Sequence, residues 1–383
     1  MNFALTPSGG GANKSARIDA LVRSYLNLNK EARDKKAGSI QYVCEQLNSD
    51  QSFTTEEITT RVKKVFSYMK KVKELLNQPQ VEQRSQEWYD MRKGRLTASS
   101  LAQAIGKSKY NPTSSLVKMK AFPELEKPFD SYGSPALRHG IILEDMTLRC
   151  YQQRLGIETM YAFGMIPHPT LSCFGASPDG INDLGIMVEI KTPYSRKIDG
   201  SISNDYMFQM QGQMAVCGLE ECDFVEAEIV MNCNIEEYLA SVPADSTVDH
   251  GMIVEYFNDL HERQFDYSPP NLTPIQCFEW ARNIKKQRIE EYGVNNVLLL
   301  QVWILKTILV QRVNFDRELW DSMVPKIERF WQDVVTMRIG GHTPDADASD
   351  AKPKKIRKVT PKTLDLVVAT EQPYCFVDSD DET

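Results

Sequence analysis

The chain has 383 residues, 42% of them hydrophobic and 25% charged, with a formal net charge of −7. That length supports one large or two ordinary domains with a sizeable core. The acidic balance argues against a protein that coats DNA through a global positive field, but it leaves an enzyme open, because charge at a site is local.

Residues 1–16, around a triple glycine, are expected to be disordered. The opening MNFALTPSGGGANKSARID lacks the apolar core of a signal peptide. Residues 17–80 read as a helical N-terminal extension. Val62, Phe66, Met69, Val72 and Leu75 recur at steps of three and four with lysines between them. A solvated amphipathic helix is preferred here to a DNA-binding face.

Residues 81–340 read as one α+β domain with a central sheet. SQEWYDMRKGRLTASSLAQAIG predicts a helix, a break and a second helix capped by Thr97 or Ser99, with Leu101, Ala104 and Ile105 on its apolar face. A turn and helix follow in YNPTSSLVKMKA. ALRHGIILEDMTLRCYQQRLG predicts a longer helix with Leu143, Met146 and Cys150 on one side and Gly156 at its end. TMYAFGMIPH, SCFGASPDG and GIMVEIKTP read as strands, DYMFQMQGQMAVCG as a helix ended by Gly218, and DFVEAEIVM as a strand.

Residues 235–295 look more variable around the turn SPPNLTP. VLLLQVWILKTILVQRV predicts one or two strands, since Gln301, Lys306 and Gln311 make it too polar and too short for a bilayer span. Leu319, Met323, Ile327, Phe330 and Val334 then share a helical face, with Pro325 expected to bend the helix. Residues 341–383 read as a flexible tail.

The chemistry concentrates between Cys173 and Ser195. On a strand, Glu189 and Lys191 project to one face, while Val188 and Ile190 point the other way. Asp179 sits at a Pro-Asp-Gly turn ten residues before Glu189, where a hairpin folds it back beside that acid. Two carboxylates in one pocket repel unless a cation sits between them. Mg²⁺ suits such a site, binding a few carboxylates and keeping waters for substrate to replace. On these residues alone, a solvated hairpin and a metal site stand level. Glu144, on the preceding helix, can add a third carboxylate or simply face solvent beside Asp145. Tyr206, Gln209 and Gln213 fall on one helix face and Gln211 on another, either to bond water or phosphate or as a polar helix side.

RSQEWYDMRKGRLTAS, HGIILE, SPDG, VEIKTP and YMFQMQGQM occur in an order and spacing that resemble the YqaJ-like viral recombinases. These are lambda-exonuclease-type members of the PD-(D/E)XK nuclease superfamily, and the resemblance covers about Gln83 to Met231. It implies a restriction-endonuclease-like core, a mixed sheet flanked by helices. It implies metal-binding acids at Asp179, Glu189 and Glu144, a catalytic lysine at Lys191, and Gln209 completing the site. It also implies a 5′-phosphate pocket from Arg92, Ser99, Ser177 and Arg196, the last after a one-residue shift that leaves Lys197 as a substitute. Arg92 is a planar fork suited to phosphate. Thr97 and Ser99 at a helix start favour an anion, or are only a cap.

The activity implied is Mg²⁺-dependent 5′-to-3′ digestion of double-stranded DNA ends, Mn²⁺ substituting, to leave 3′ single strands for viral recombination or repair. A single-strand annealing protein and a homotrimer are implied partners, and no membrane is. The alternatives are an endonuclease of the same superfamily and an inactive DNA-binding or assembly protein, and the complete set Asp179, Glu189 and Lys191 speaks against the second.

The cysteines at 44, 150, 173, 217, 222, 233, 277 and 375 form no CxxC pair, so neither zinc nor a disulfide framework is expected. Cys217 and Cys222 read as core and surface thiols. His139, His168, His250, His261 and His342 are dispersed and are set aside as structural or exposed. Trp88 is read as a core anchor rather than a base-stacking platform. In KPKKIRKVTPK, Lys354, Lys355, Arg357 and Lys358 resemble a nuclear-import signal, preferred to a DNA-tethering arm, and place the protein in a host nucleus.

Overall fold

Three helices open the chain in the computed structural model, which describes residues 10–83, 85–108, 111–125, 134–232 and 234–340. They are α1 (Gly10–Leu28), α2 (Lys35–Leu47) and α3 (Thr55–Leu76). A capping box starts α3, the Thr54 hydroxyl accepting from the Glu57 amide at 3.1 Å and the Glu57 carboxylate from the Thr54 amide at 2.9 Å. Ile58, Val62, Val65, Tyr68, Val72 and Leu75 are buried on its core face. The expected disorder does not extend to Ala16, because Gly10 to Ala16 are helical. Ile18 and Val22 bury one side of α1, and Lys14 and Arg17 pair with Glu57 and Asp50 at 3.1 and 2.7 Å.

Along the chain follow α4 (Gln86–Lys93), β1 (Leu96–Thr97), α5 (Leu101–Ala104), α6 (Thr113–Ala121), α7 (Pro135–Leu155), β2 (Met160–Tyr161), β3 (Ile166–Pro167), β4 (Phe174–Ala176), β5 (Gly180–Asn182), β6 (Met187–Lys191), α8 (Asn204–Cys217) and β7 (Glu221–Asn232). Then come α9 (Ile235–Ser241), β8 (His250–Phe257), β9 (Arg263–Tyr267), α10 (Pro274–Tyr292), β10 (Val297–Asn314) and α11 (Arg317–Gly340). The apolar run is thus one strand of eighteen residues, and α11 continues through Pro325. No helix among the described residues is long and apolar enough to cross a membrane.

Contacts divide the described residues differently from the break expected at residue 80. One unit joins everything up to Ile229 with Leu305 onward, and the other is Val230–Ile304. The first unit is an α+β fold on a mixed sheet. Its strands run β2-β5-β6-β7, with the C-terminal half of β10 beyond β7. β5 is antiparallel to both β2 and β6, whereas β6 and β7 are parallel. α7 covers one face, where Tyr151 and Ile157 pack with Val188, Ile190 and Val225. On the other face Met210 and Met214 of α8 join a larger core with Met187 and Phe224. A small sheet, β1-β4-β3, lies in the same unit.

The N-terminal helices are part of this unit rather than an appendage. The β5–β6 turn has Gly185 at φ +77, where an added Cβ would lie 2.6 Å from the Tyr68 Cβ of α3. Beneath lies a buried ionic network. Arg61 of α3 donates to Asp19 of α1 at 2.7 and 2.6 Å and also pairs with Glu221 of β7. Arg312 of β10 donates to Asp223 at 2.6 Å and pairs with Glu221, while the Tyr151 hydroxyl donates to Asp223 at 2.6 Å.

The second unit replaces the variable stretch with ordered structure. β8 pairs antiparallel with β9 and with the N-terminal half of β10. Met252, Val254 and Val302 pack with Cys277 and Ala281 of α10. Gly251 is required by close packing, since a Cβ there would lie 2.5 Å from Ser268 Oγ and 2.7 Å from Trp303 Nε1.

Candidate active site

β6 carries the site because its two faces meet different helices. Val188 and Ile190 turn to α7, which leaves Glu189 and Lys191 on the α8 side. β5 begins only at Gly180, so the Ile190 amide lacks a ladder partner on that side. Asp179 Oδ2 takes it at 2.7 Å, which holds the aspartate at the end of β6.

Glu189 has no exposed surface. Its Oε1 accepts from Gln209 Nε2 at 2.7 Å and from the Lys191 ammonium, and its Oε2 accepts from Gln213 Nε2 at 2.7 Å. Gln209 and Gln213 are four apart on α8 and therefore share a face. Gln211 points elsewhere, donating to the Asn314 carbonyl at 2.9 Å and accepting from the Asp316 amide at 2.7 Å. Two glutamines thus serve the acid and one fastens α8 to the β10–α11 connection.

The electrostatics are those of crowded acids. Burial, then the neighbouring charges of Glu189 and Glu144, push the Asp179 carboxyl well above the usual carboxylate range, against Lys191 and the Ile190 amide. Burial alone would lower the Lys191 pKa, but Glu189 and Asp179 outweigh it and raise it. Lys191 Nζ also lies 5.1 Å from the Tyr206 ring centroid. Glu144 is half-buried on α7, close enough to act on Asp179.

The phosphate-pocket candidates form a second group. The Arg92 guanidinium lies 4.5 Å from the Trp88 ring centroid, and Trp88 Nε1 donates to Ser177 Oγ at 3.0 Å. Trp88 is half-buried and packs beside Arg92 and Ser177. Thr97 and Ser99 do not cap a helix as expected. Their hydroxyls bond each other at 3.1 Å, ahead of a helix, α5, of only four residues. The tight turn at Ala98–Ser100 leaves no long helix whose first amides they could serve. Arg196 is exposed and pairs with Glu226 rather than with any of these residues. Lys197 is exposed next to it.

Glu226 was not among the expected site residues, and Gln213 was expected to meet water or phosphate rather than Glu189. Gln213 was visible as the i+4 partner of Gln209, whereas Glu226 is one of four acids on β7, with Glu221, Asp223 and Glu228, and no local pattern sets it apart. Cys217 and Cys222 are both buried, so neither is a surface thiol. His139 lies edge-on to Tyr194, His168 stacks on Trp320, and the His250 ring hydrogen-bonds the Tyr238 hydroxyl at 2.7 Å. Lys354, Lys355, Arg357 and Lys358 lie outside the described residues, as does His342.

The oxygen-rich donor set fits a hard divalent cation. Asp179 resists ionisation without a counter-charge, and Gln213 Oε1 is buried with no hydrogen-bond partner among the described residues. No group of three or more His, Cys, Asp or Glu among the described residues is arranged to hold a metal. A Mg²⁺ ion needs only one or two carboxylates, completing its shell with water and substrate oxygens.

Comparison with known proteins agrees with the motif reading. Residues 87–220 match the family model of the YqaJ-like viral recombinase domain. An uncharacterized protein of Acanthamoeba polyphaga mimivirus, R354, is 24% identical over 305 residues, covering 68% of this chain. The chain spans 54%, about half, of the length of that curated relative. Among solved structures, the alkaline exonuclease LHK-Exo from Laribacter hongkongensis is 19% identical with a TM-score of 0.41, the match covering 67% of this chain and 95% of that one. A phage-related exonuclease from Haemophilus somnus 129PT is 13% identical with a TM-score of 0.36, over 65% of this chain and 96% of that one.

Proposed function

We propose, from the YqaJ-like viral recombinase match over residues 87–220, that the protein is a Mg²⁺-dependent exonuclease. It digests double-stranded DNA from the 5′ end and leaves 3′ single strands for viral recombination or repair. The observation that carries this reading is the gathering of Asp179, Glu189 and Lys191, with Glu144 behind them, around the end of β6. Asp179 and Glu189 would hold the cation, with Glu144 adding its charge from α7. When bound, the cation would supply a more acidic water and offset charge on the phosphate.

The chain's own side chains do the rest. Gln209 and Gln213 fix the Glu189 rotamer and leave the acid no freedom to turn away. Lys191 keeps its proton and places a positive charge where a nucleophilic water and the phosphate oxygens meet. Arg92, Ser177 and Arg196 offer donors to a terminal phosphate. The same reading includes a homotrimer, a single-strand annealing partner and action in a host nucleus. Light scattering tests the trimer.

Incubation with end-labelled linear duplex in Mg²⁺ or EDTA tests the reaction. The 5′-ended strand is expected to shorten in Mg²⁺ alone, faster from a 5′-phosphate. Steady cutting of closed circles would reject the exonuclease. Cation binding has a second readout. Mg²⁺ at a hundredfold excess over its Kd is expected to stabilise the protein by about 2.7 kcal/mol in thermal unfolding. Asp179→Asn should lose that gain, and a wild-type melting temperature indifferent to millimolar Mg²⁺ removes the metal site.

A further inference from the structure

Glu226 is an acid that the site described above does not use. β7 runs parallel to β6 in a register that pairs Glu189 with Phe224 and Lys191 with Glu226. Paired residues on neighbouring strands share a face, so Glu226 lies on the α8 side with both catalytic candidates. Its side chain has no exposed surface. One oxygen, Oε1, is ion-paired with Arg196 Nη2. The other, Oε2, is buried with no hydrogen-bond partner among the described residues.

Packing does not explain this residue. A half-satisfied buried carboxylate is costly, and an apolar side chain of similar size would be cheaper. What Glu226 does accomplish is to grip an arginine whose own side chain is 43% exposed. Arg196 sits in the loop between β6 and α8, five residues beyond Lys191. One arm of its fork is engaged, while Nη1 reaches only the Lys197 carbonyl at 3.4 Å. A guanidinium has five N–H donors in one plane, so donors remain for an anion. An arginine already anchored loses little side-chain freedom when it grips a ligand.

We propose that Glu226 is a positioning residue. It holds the Arg196 guanidinium at the edge of the carboxylate site, preset for the terminal 5′-phosphate of a DNA end. This rests on the nuclease reading above and adds to it how the phosphate-binding arginine is aimed.

The test is steady-state cleavage of linear duplex with 5′-phosphate or 5′-hydroxyl ends, by wild type, Glu226→Gln, Glu226→Asp, Arg196→Ala and the double variant E226Q/R196A. Glu226→Gln is expected to raise KM on 5′-phosphate ends about tenfold while kcat holds. Adding Arg196→Ala to it should cost nothing more than Arg196→Ala alone, because both changes remove one contact. Glu226→Asp keeps the charge on a shorter arm and should fall between. An unchanged KM in Glu226→Gln overturns the proposal, as do multiplicative losses in the double variant or a fall in kcat at constant KM. If Glu226→Gln shows no cooperative melt, Glu226→Asp carries the test, and an unchanged KM there overturns it equally. A wild-type protein that cuts no DNA sinks the nuclease reading and this proposal with it. A wild type that cuts, matched by Glu226→Gln, sinks this proposal alone.

Discussion

Glu189→Gln is expected to lower Mg²⁺-dependent cleavage of linear duplex DNA by about a thousandfold, on the order of 4 kcal/mol of barrier. The substitution is isosteric, so the strand position stays filled. It removes the negative charge that pairs with Lys191 and counts toward cation binding. It also sets an amide N–H₂ against one of three donors that now converge on this carboxylate, from Lys191, Gln209 and Gln213. Cleavage rates on a 5′-phosphorylated duplex check the loss, and a cooperative melt shows that the fold survives. Wild-type cleavage by Glu189→Gln would remove the residue from the chemistry.

The second large effect is on stability. Arg312→Met is expected to cost about 3–5 kcal/mol of unfolding free energy, because it strands the buried Asp223 and takes one of its cations from the buried Glu221. Glu221 would keep Arg61, but Asp223 would keep only the Tyr151 hydroxyl. The side chains of Glu221 and Asp223 are each only 4% exposed, so water cannot substitute for the lost partner. Urea unfolding measures the loss, and a change under about 1 kcal/mol would place the network among ion pairs that contribute little.

The same network sets an acid limit. Burial alone would raise the Glu221 pKa, but Arg61 and Arg312 outweigh it and lower it from 4.5 to about 2. A depressed carboxylate contributes stability that is fully present above its unfolded value and is lost as pH falls through its folded value. The Glu221 contribution therefore disappears between about pH 4.5 and about pH 2. In Arg312→Met that limb should be shallower, since less of the depression remains.

The carboxylate site was readable in the sequence to an unusual depth because its determinants are local. Alternation on a strand placed Glu189 and Lys191 together, a Pro-Asp-Gly turn returned Asp179, and a four-residue helical step aligned Gln209 with Gln213. Glu226 was hidden because its meaning depends on the register of β7 against β6, which no local pattern encodes. α10 was missed although Thr273 and Gln276 form a capping box around a proline at the first turn. Its buried residues are only Pro274, Cys277 and Ala281, so its apolar stripe is weak. The place of α1 to α3 in the first unit was illegible for another reason. The charges that attach them, Asp19 and Arg61, find partners at Glu221 and Arg312, far away along the chain.

The interrupted order of the first unit bears on how the protein is made. A nascent chain that has emerged only as far as Ile229 already contains Asp179, Glu189, Lys191 and both glutamines, but neither β10 nor Arg312. Until the ribosome has added some eighty further residues, Glu221 and Asp223 have no Arg312 to neutralise them. Completion of this unit is thereby postponed until β10 is made, and a chain released before then lacks the strand that carries Arg312.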